Sequence, residues 1–160
     1  MPYLIDGHNL IPKFGIDLSA EDDERQLVQI LQNFARVTRK TQIEIYFDRR
    51  ANHPDGGKLP SSLKITFVRA PKLADQALAE RLKALGNGAK NWTVVSSDNY
   101  VQREAKNRGA TPLSSEEFAA IVNQSLRIQR SENTFRDNSL SQKEVEDWLK
   151  IFNNKNKNQD

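Results

Sequence analysis

Apolar residues along the chain fall in short blocks whose period switches repeatedly between that of a strand and that of a helix. Tyr3-Leu4-Ile5 is an apolar run stopped by Asp6-Gly7, the pattern of a buried strand ending in a turn. Leu27, Ile30, Leu31 and Phe34 recur at helical spacing, predicting a helix over 20–39 capped by Ser19. Glu21, Asp22, Asp23 and Glu24 lie near its positive end. Ile43 to Phe47, rich in β-branched and aromatic residues, predicts a second strand that stops at Asp48. Two prolines and Gly56-Gly57 make 49–62 a loop, and Leu63 to Val68 is a third strand. A helix over 72–85 is stopped by Gly86-Asn87-Gly88. Trp92 to Val95 is a fourth strand, leading through Ser96-Ser97-Asp98 into a helix over 99–108 that Gly109 closes. Thr111 to Leu113 is a fifth strand, and Ser114 with Glu117 forms a capping box for a helix over 115–127.

Strands that alternate with helices imply right-handed crossovers and an α/β fold: a central, mostly parallel five-stranded sheet in a three-layer arrangement. That body takes up 1–128, and 129–140 reads as a polar linker. Ser141 with Glu144 caps an amphipathic helix over 141–152, whose stripe is Val145, Trp148, Leu149 and Phe152. Residues 153–160 are an Asn/Lys tail with nothing to bury, expected to be disordered.

Composition narrows the chemistry. At 160 residues and 37% hydrophobic content the chain is one ordinary domain with a feasible core. It has no cysteine, so disulfides and thiolate metal sites are impossible, and any metal must be held by oxygen or by the two histidines. No apolar run approaches the ~18 residues that span a bilayer. The opening Met-Pro-Tyr-Leu-Ile-Asp lacks the basic leader of a signal peptide, so the expected location is the cytoplasm. GxxxxGK[ST] and GxSxG are both absent, which removes a P-loop and a serine nucleophile elbow.

In an open parallel sheet, ligands bind at the carboxyl ends of the strands. Three strand ends here carry aspartate, Asp6, Asp48 and Asp98, and Asp75 opens the helix after the third strand. Four carboxylates on one edge repel one another unless a cation lies between them, and hard oxygen ligands favour Mg²⁺ or Mn²⁺. Each also has a local explanation: Asp6 as a turn residue, Asp75 as a first-turn helix acid, Asp98 as an N-cap. Asn9 and the Ser96-Ser97 pair could hydrogen-bond a phosphate or orient a ligand. His8 shares the Asp6 turn but has no second histidine at metal spacing.

Tyr-Leu-Ile-Asp-Gly-His-Asn-Leu-Ile (3–11), Glu-Ile-Tyr-Phe-Asp (44–48), Leu-Ala-Asp (73–75), Thr-Val-Val-Ser-Ser-Asp (93–98) and Gly-Ala-Thr-Pro-Leu-Ser-Ser-Glu-Glu-Phe (109–118) together resemble the YacP-like branch of the NYN domain family. The resemblance covers about 2–127. It implies a PIN-like, Rossmann-like fold and a metal-dependent endoribonuclease acting on single-stranded RNA. Asp6, Asp75 and Asp98 would hold Mg²⁺ or Mn²⁺, Asp48 would be a supporting acid, and Asn9 the polar residue beside the site. RNA is the implied partner, with the ribosome as a further one. Two positions depart from the family pattern: Gln76 stands where relatives often carry a second acid, and Pro71-Lys72-Leu73-Ala74-Asp75 replaces a Gly-Glu-x-Ala-Asp approach. They make a non-catalytic RNA- or ribosome-binding module the alternative. A haloacid-dehalogenase-type phosphatase is weaker still, because His8 occupies the position of its second acid.

Charge adds a route for RNA. Within the net +3 of the chain, 36–72 holds nine basic residues against three acidic ones. Arg49, Arg50, Lys58, Arg69 and Lys72 are the expected phosphate contacts, with Ser97 beside them. Tyr46, Phe47 and Trp92 lie within strands and belong to the core, whereas Tyr100, just past Asp98, is the candidate for base stacking.

Overall fold

Five short β-rich runs form the centre of the fold, the three inner ones apolar enough to be buried almost throughout. In the computed structural model, which describes residues 2–39, 41–49 and 63–138, they are β1 (Tyr3–Asp6), β2 (Ile43–Asp48), β3 (Lys64–Val68), β4 (Thr93–Val95) and β5 (Thr111–Leu113). Every pairing is parallel, in the order β3-β2-β1-β4-β5. The chain builds outward from β1 through β2 to β3, then returns to place β4 on the other side of β1. The strand order therefore reverses between β1 and β4, where an open α/β sheet leaves a crevice at its carboxyl edge.

The helices are α1 (Gly7–Leu10), α2 (Asp23–Val37), α3 (Ala74–Leu85), α4 (Asn99–Asn107) and α5 (Ser115–Asn138), with 3₁₀ turns at Ile11–Phe14 and Gly86–Asn91. Alternation along β1 sends Leu4 to one face, where it packs with Leu78 and Leu82 of α3 and Val101 and Ala105 of α4. Tyr3 points the other way, with its ring 6.2 Å from Phe34 of α2 and 5.0 Å from Phe118 of α5. Fully burying each such side chain is worth about 1.5–3 kcal/mol. Tyr46 and Phe47 within β2, and Trp92 immediately before β4, are all buried, as expected of core residues. Buried Glu44 has its charge met by Lys64 and Arg81, each at 3.0 Å.

Two boundaries differ from the sequence expectation. Ser19 does not cap α2: its N–H and hydroxyl both bond Asp17, and the helix starts at Asp23. A local Asx-type turn has taken the capping serine. Residues 129–138, expected as a linker, continue α5. They contain no glycine or proline, and Gln129, Arg130 and Glu132 are good helix formers, so polarity alone does not stop the helix.

The chain divides into two compact units, Met1–Ser125 and Leu126–Asp160. The first holds the whole sheet and every candidate site residue among those described. The expected helix over 141–152, the tail 153–160, Arg50 and Lys58 lie outside the described residues. No helix among the described residues is long and apolar enough to cross a membrane.

Candidate carboxylate site at the strand ends

Asp6 ends the central strand β1, and the turn beyond it is unusually tight against the sheet. A Cβ on Gly7 would run into the Phe47 ring, so the residue after Asp6 must be glycine for reasons of space. Asp6 is half-buried and accepts a long hydrogen bond from the Ser96 hydroxyl at 3.3 Å. Burial pushes its pKa from 3.8 up to about 6; the Ser96 bond and His8 pull it down, and the charges of Asp48 and Asp98 push it further up. Asp48 and Asp98 are each close enough for their charge to act on Asp6.

Each partner acid has a structural task as well. One oxygen of Asp48 accepts the Ala74 N–H at 2.7 Å, tying the end of β2 to the start of α3. Asp98 is the N-cap of α4, accepting from the N–H groups of Tyr100 at 2.8 Å and Val101 at 3.4 Å. Asp75 stands in the first turn of α3 and accepts the Gln76 N–H at 2.8 Å. A carboxylate has about four acceptor positions, so none of these bonds exhausts its donor capacity toward a cation. Among the described residues, however, no three acidic or histidine side chains converge on one point as a ready metal cage. Gln76, the departure from the family pattern, has a role of its own: its Oε1 accepts the Leu73 N–H at 3.0 Å and secures the helix start.

The loop that carries Asp98 is held by a network of bonds from distant parts of the chain. Asn9 Oδ1 accepts from the Ser97 N–H at 2.8 Å and from the Ser115 hydroxyl at 2.6 Å. Ser97 Oγ accepts the Ser115 N–H at 3.0 Å and donates to Glu116 at 2.6 Å. Glu116 in turn pairs with Lys13 at 2.8 Å, and the Lys13 bond, then the Ser97 bond, hold its carboxyl down at about 2. The Ser96 hydroxyl also accepts the Asp98 N–H at 3.1 Å, so one hydroxyl links Asp98 to Asp6. Asn9 and Ser97 thus use these atoms to position the loop. Lys13, Ser115 and Glu116 are residues that sequence reasoning did not single out, although Ser115 and Glu116 fall within the 109–118 motif.

His8 bonds to α2, with Nε2 at 2.9 Å from Glu24, a buried carboxylate, while remaining near enough to lower the Asp6 pKa. Of the expected RNA contacts, Arg49 and Arg69 are exposed and Lys72 pairs with Glu80. Tyr100 is 44% exposed beside Asp98, as a stacking residue requires.

Comparison with known proteins agrees with the fold. The family model for the YacP-like NYN domain matches residues 3–154. No curated protein matches the chain. The crystal structure of Rae1 (YacP) from Bacillus subtilis is similar in fold, with a TM-score of 0.70 at 23% identity, covering 98% of this chain and 95% of that one. A point mutant of the same protein gives a TM-score of 0.68 at 24% identity, over 89% of this chain and 85% of that one.

Proposed function

The chain belongs to the YacP-like NYN domain family, whose membership supports a ribonuclease-family role, and on that premise we propose that it is a metal-dependent endoribonuclease acting on single-stranded RNA. The observation that carries the reading is Asp6: a half-buried carboxylate at the topological switch point, raised to about 6 chiefly by desolvation and subject to the like charges of Asp48 and Asp98. Among the described residues, the one hydrogen bond that meets that charge is a long one from the Ser96 hydroxyl. An all-oxygen donor set of this kind fits Mg²⁺ or Mn²⁺, and Mg²⁺ commonly takes only one or two protein carboxylates, leaving its other positions to water and substrate phosphate. Asp6, Asp75 and Asp98 would hold the ion, with Asp48 adding charge beside them.

When bound, the cation supplies the positive charge that draws the scissile phosphate to the edge and the acidity that makes water a nucleophile at neutral pH. The chain's residues do the rest. Asp6 is mostly ionised at neutral pH and sets the depth of the site. Ser96 links Asp6 to Asp98, and Asn9 with Ser97 fixes the loop on which Asp98 stands. Arg49 and Arg69, exposed next to the strand ends, supply phosphate contacts. Attack by water, and not by the ribose 2′-hydroxyl, leaves a 5′-phosphate and a 3′-hydroxyl.

The test is cleavage of an end-labelled single-stranded RNA with Mn²⁺ and with EDTA. Cleavage only with metal supports the reading; cleavage unaffected by EDTA overturns it. The rival reading, a non-catalytic RNA- or ribosome-binding module, draws on Gln76 and on the lack of a ready three-acid cage among the described residues. It predicts RNA binding without any metal-dependent cleavage.

A further inference from the structure

Beside the carboxylate edge runs a groove that the catalytic reading leaves unused. Gln76, Glu80 and Lys83 recur at i, i+4 and i+7 along α3, and Tyr100, Glu104 and Arg108 at i, i+4 and i+8 along α4 and its C-cap. Each set is a single stripe of its helix. The two stripes face each other across a cleft of about 450 Å³, with Lys72 at its rim. That volume is within the ~300–1,000 Å³ of ligand-binding clefts.

One end of the cleft meets the proposed site. Gln76 follows Asp75 directly, and Tyr100 is two residues past Asp98. Lys83 and Arg108 are about two helical turns further on, roughly 10–12 Å at 1.5 Å per residue. The side chains differ along the way in a manner suited to one kind of ligand. Tyr100 offers an exposed aromatic face at the site end. Glu80 is paired with Lys72, which partly neutralises the middle of the groove. Glu104 and Gln76 offer acceptor and amide groups of the type that read base edges. Lys83 and Arg108 are exposed, and among the described residues neither makes an ion pair.

We propose that this groove holds the single-stranded RNA flanking the bond that is cut. A base stacks on Tyr100, and a phosphate about two helical turns from the acids is gripped by Lys83 and Arg108. The strand leaves the carboxylate edge between α3 and α4 and runs down the outer face of both helices. The proposal rests on the carboxylate edge being the cutting site, and it extends that site by a subsite.

The test is binding of a fluorescein-labelled single-stranded RNA to the full chain in EDTA, read by anisotropy over a range of salt. No cleavage occurs there if the metal reading is right, and binding is measured independently of catalysis. The double variant Lys83→Ala/Arg108→Ala removes two phosphate contacts, so the slope of log K against log salt should flatten by about 1.4, at ~0.7 per contact for a single strand. Tyr100→Ala should weaken binding roughly 5- to 150-fold without changing that slope, as loss of one stacked base does. Lys90→Ala/Lys106→Ala removes the same charge from exposed positions outside the groove and should leave the slope unchanged. The proposal is overturned if the wild type fails to bind RNA, if the groove variant keeps the wild-type slope, or if the control variant flattens it equally. A chain that binds RNA through this groove yet never cleaves it would retain the subsite and refute the nuclease reading.

Discussion

Replacing Asp6 with asparagine should make the protein more stable at neutral pH while removing its activity. Burial and the neighbouring acids raise the Asp6 pKa from 3.8 to about 6, so the folded state binds this proton more tightly than the unfolded state does. Stability therefore falls as pH rises from 3.8 to 6, and the full cost persists above that window. At about 1.36 kcal/mol per pKa unit the shift corresponds to ~3 kcal/mol, and water reaching the partly exposed carboxyl reduces it to about 1–3 kcal/mol. Asparagine keeps the shape and an acceptor for Ser96 without the charge. For a chain of this length 1 kcal/mol moves Tm by ~2–4 °C, so Asp6→Asn should melt about 2–12 °C higher at pH 7.5 in EDTA. The gap should shrink to about half by pH 5, where Asp6 of the wild type is largely protonated in the folded protein. Circular-dichroism melts of both proteins at several pH values measure it. A variant that melts at or below the wild type at pH 7.5, or a gap that does not narrow in acid, refutes the assignment of Asp6 as an uncompensated charge.

Other positions give independent checks. Gly7→Ala drives a Cβ into the Phe47 ring, so it should destabilise by about 1–3 kcal/mol in chemical denaturation, and an unchanged midpoint would show that the ring moves freely. Glu116→Gln loosens the Lys13–Glu116–Ser97 chain and should lower the cleavage rate more than RNA affinity, since it acts on the Asp98 loop. Because the Glu116 pKa is depressed to about 2, its stabilising effect is present above 4.5 and disappears as pH falls toward 2; melts of the variant and wild type should converge over that window. Gln76→Glu keeps an acceptor for the Leu73 N–H and adds a charge beside Asp75, so calorimetric titration should show tighter Mn²⁺ binding; an unchanged affinity would place Asp75 outside the ion's reach.

Much of this architecture is legible in the chain because the strands are short apolar runs with polar stops. β1 and β2 end on the aspartates that interrupt their runs, and the helices begin near the acids expected in their first turns. The N-cap reading of Asp98 is borne out, and its charge also acts on Asp6. What the sequence conceals is every contact made across long separations. The bond from the Ala74 N–H to Asp48 spans 26 positions, and that from Ser115 to Asn9 spans 106. Asn9 reads from the sequence as a polar turn residue that could bind a phosphate, and nothing local shows that its Oδ1 accepts from the Ser97 N–H and the Ser115 hydroxyl. Ser19 illustrates the opposite failure: a good capping residue in the right place, taken instead by a hydrogen bond to Asp17 two positions away. The extension of α5 through 129–138 was hidden because a polar stretch without breakers looks the same as a linker when only apolar periodicity is read.

The most direct test of the account is the single-turnover cleavage rate of Asp6→Asn on labelled single-stranded RNA at saturating Mn²⁺, beside the wild type. Removing the inner carboxylate should lower the rate by more than the ~10–100-fold typical of changes outside the ligand shell, in a variant that melts higher than the wild type. Wild-type products should carry 5′-phosphate ends. A variant that cuts at the wild-type rate would contradict the claim that Asp6 is the centre of a cation-dependent nuclease site.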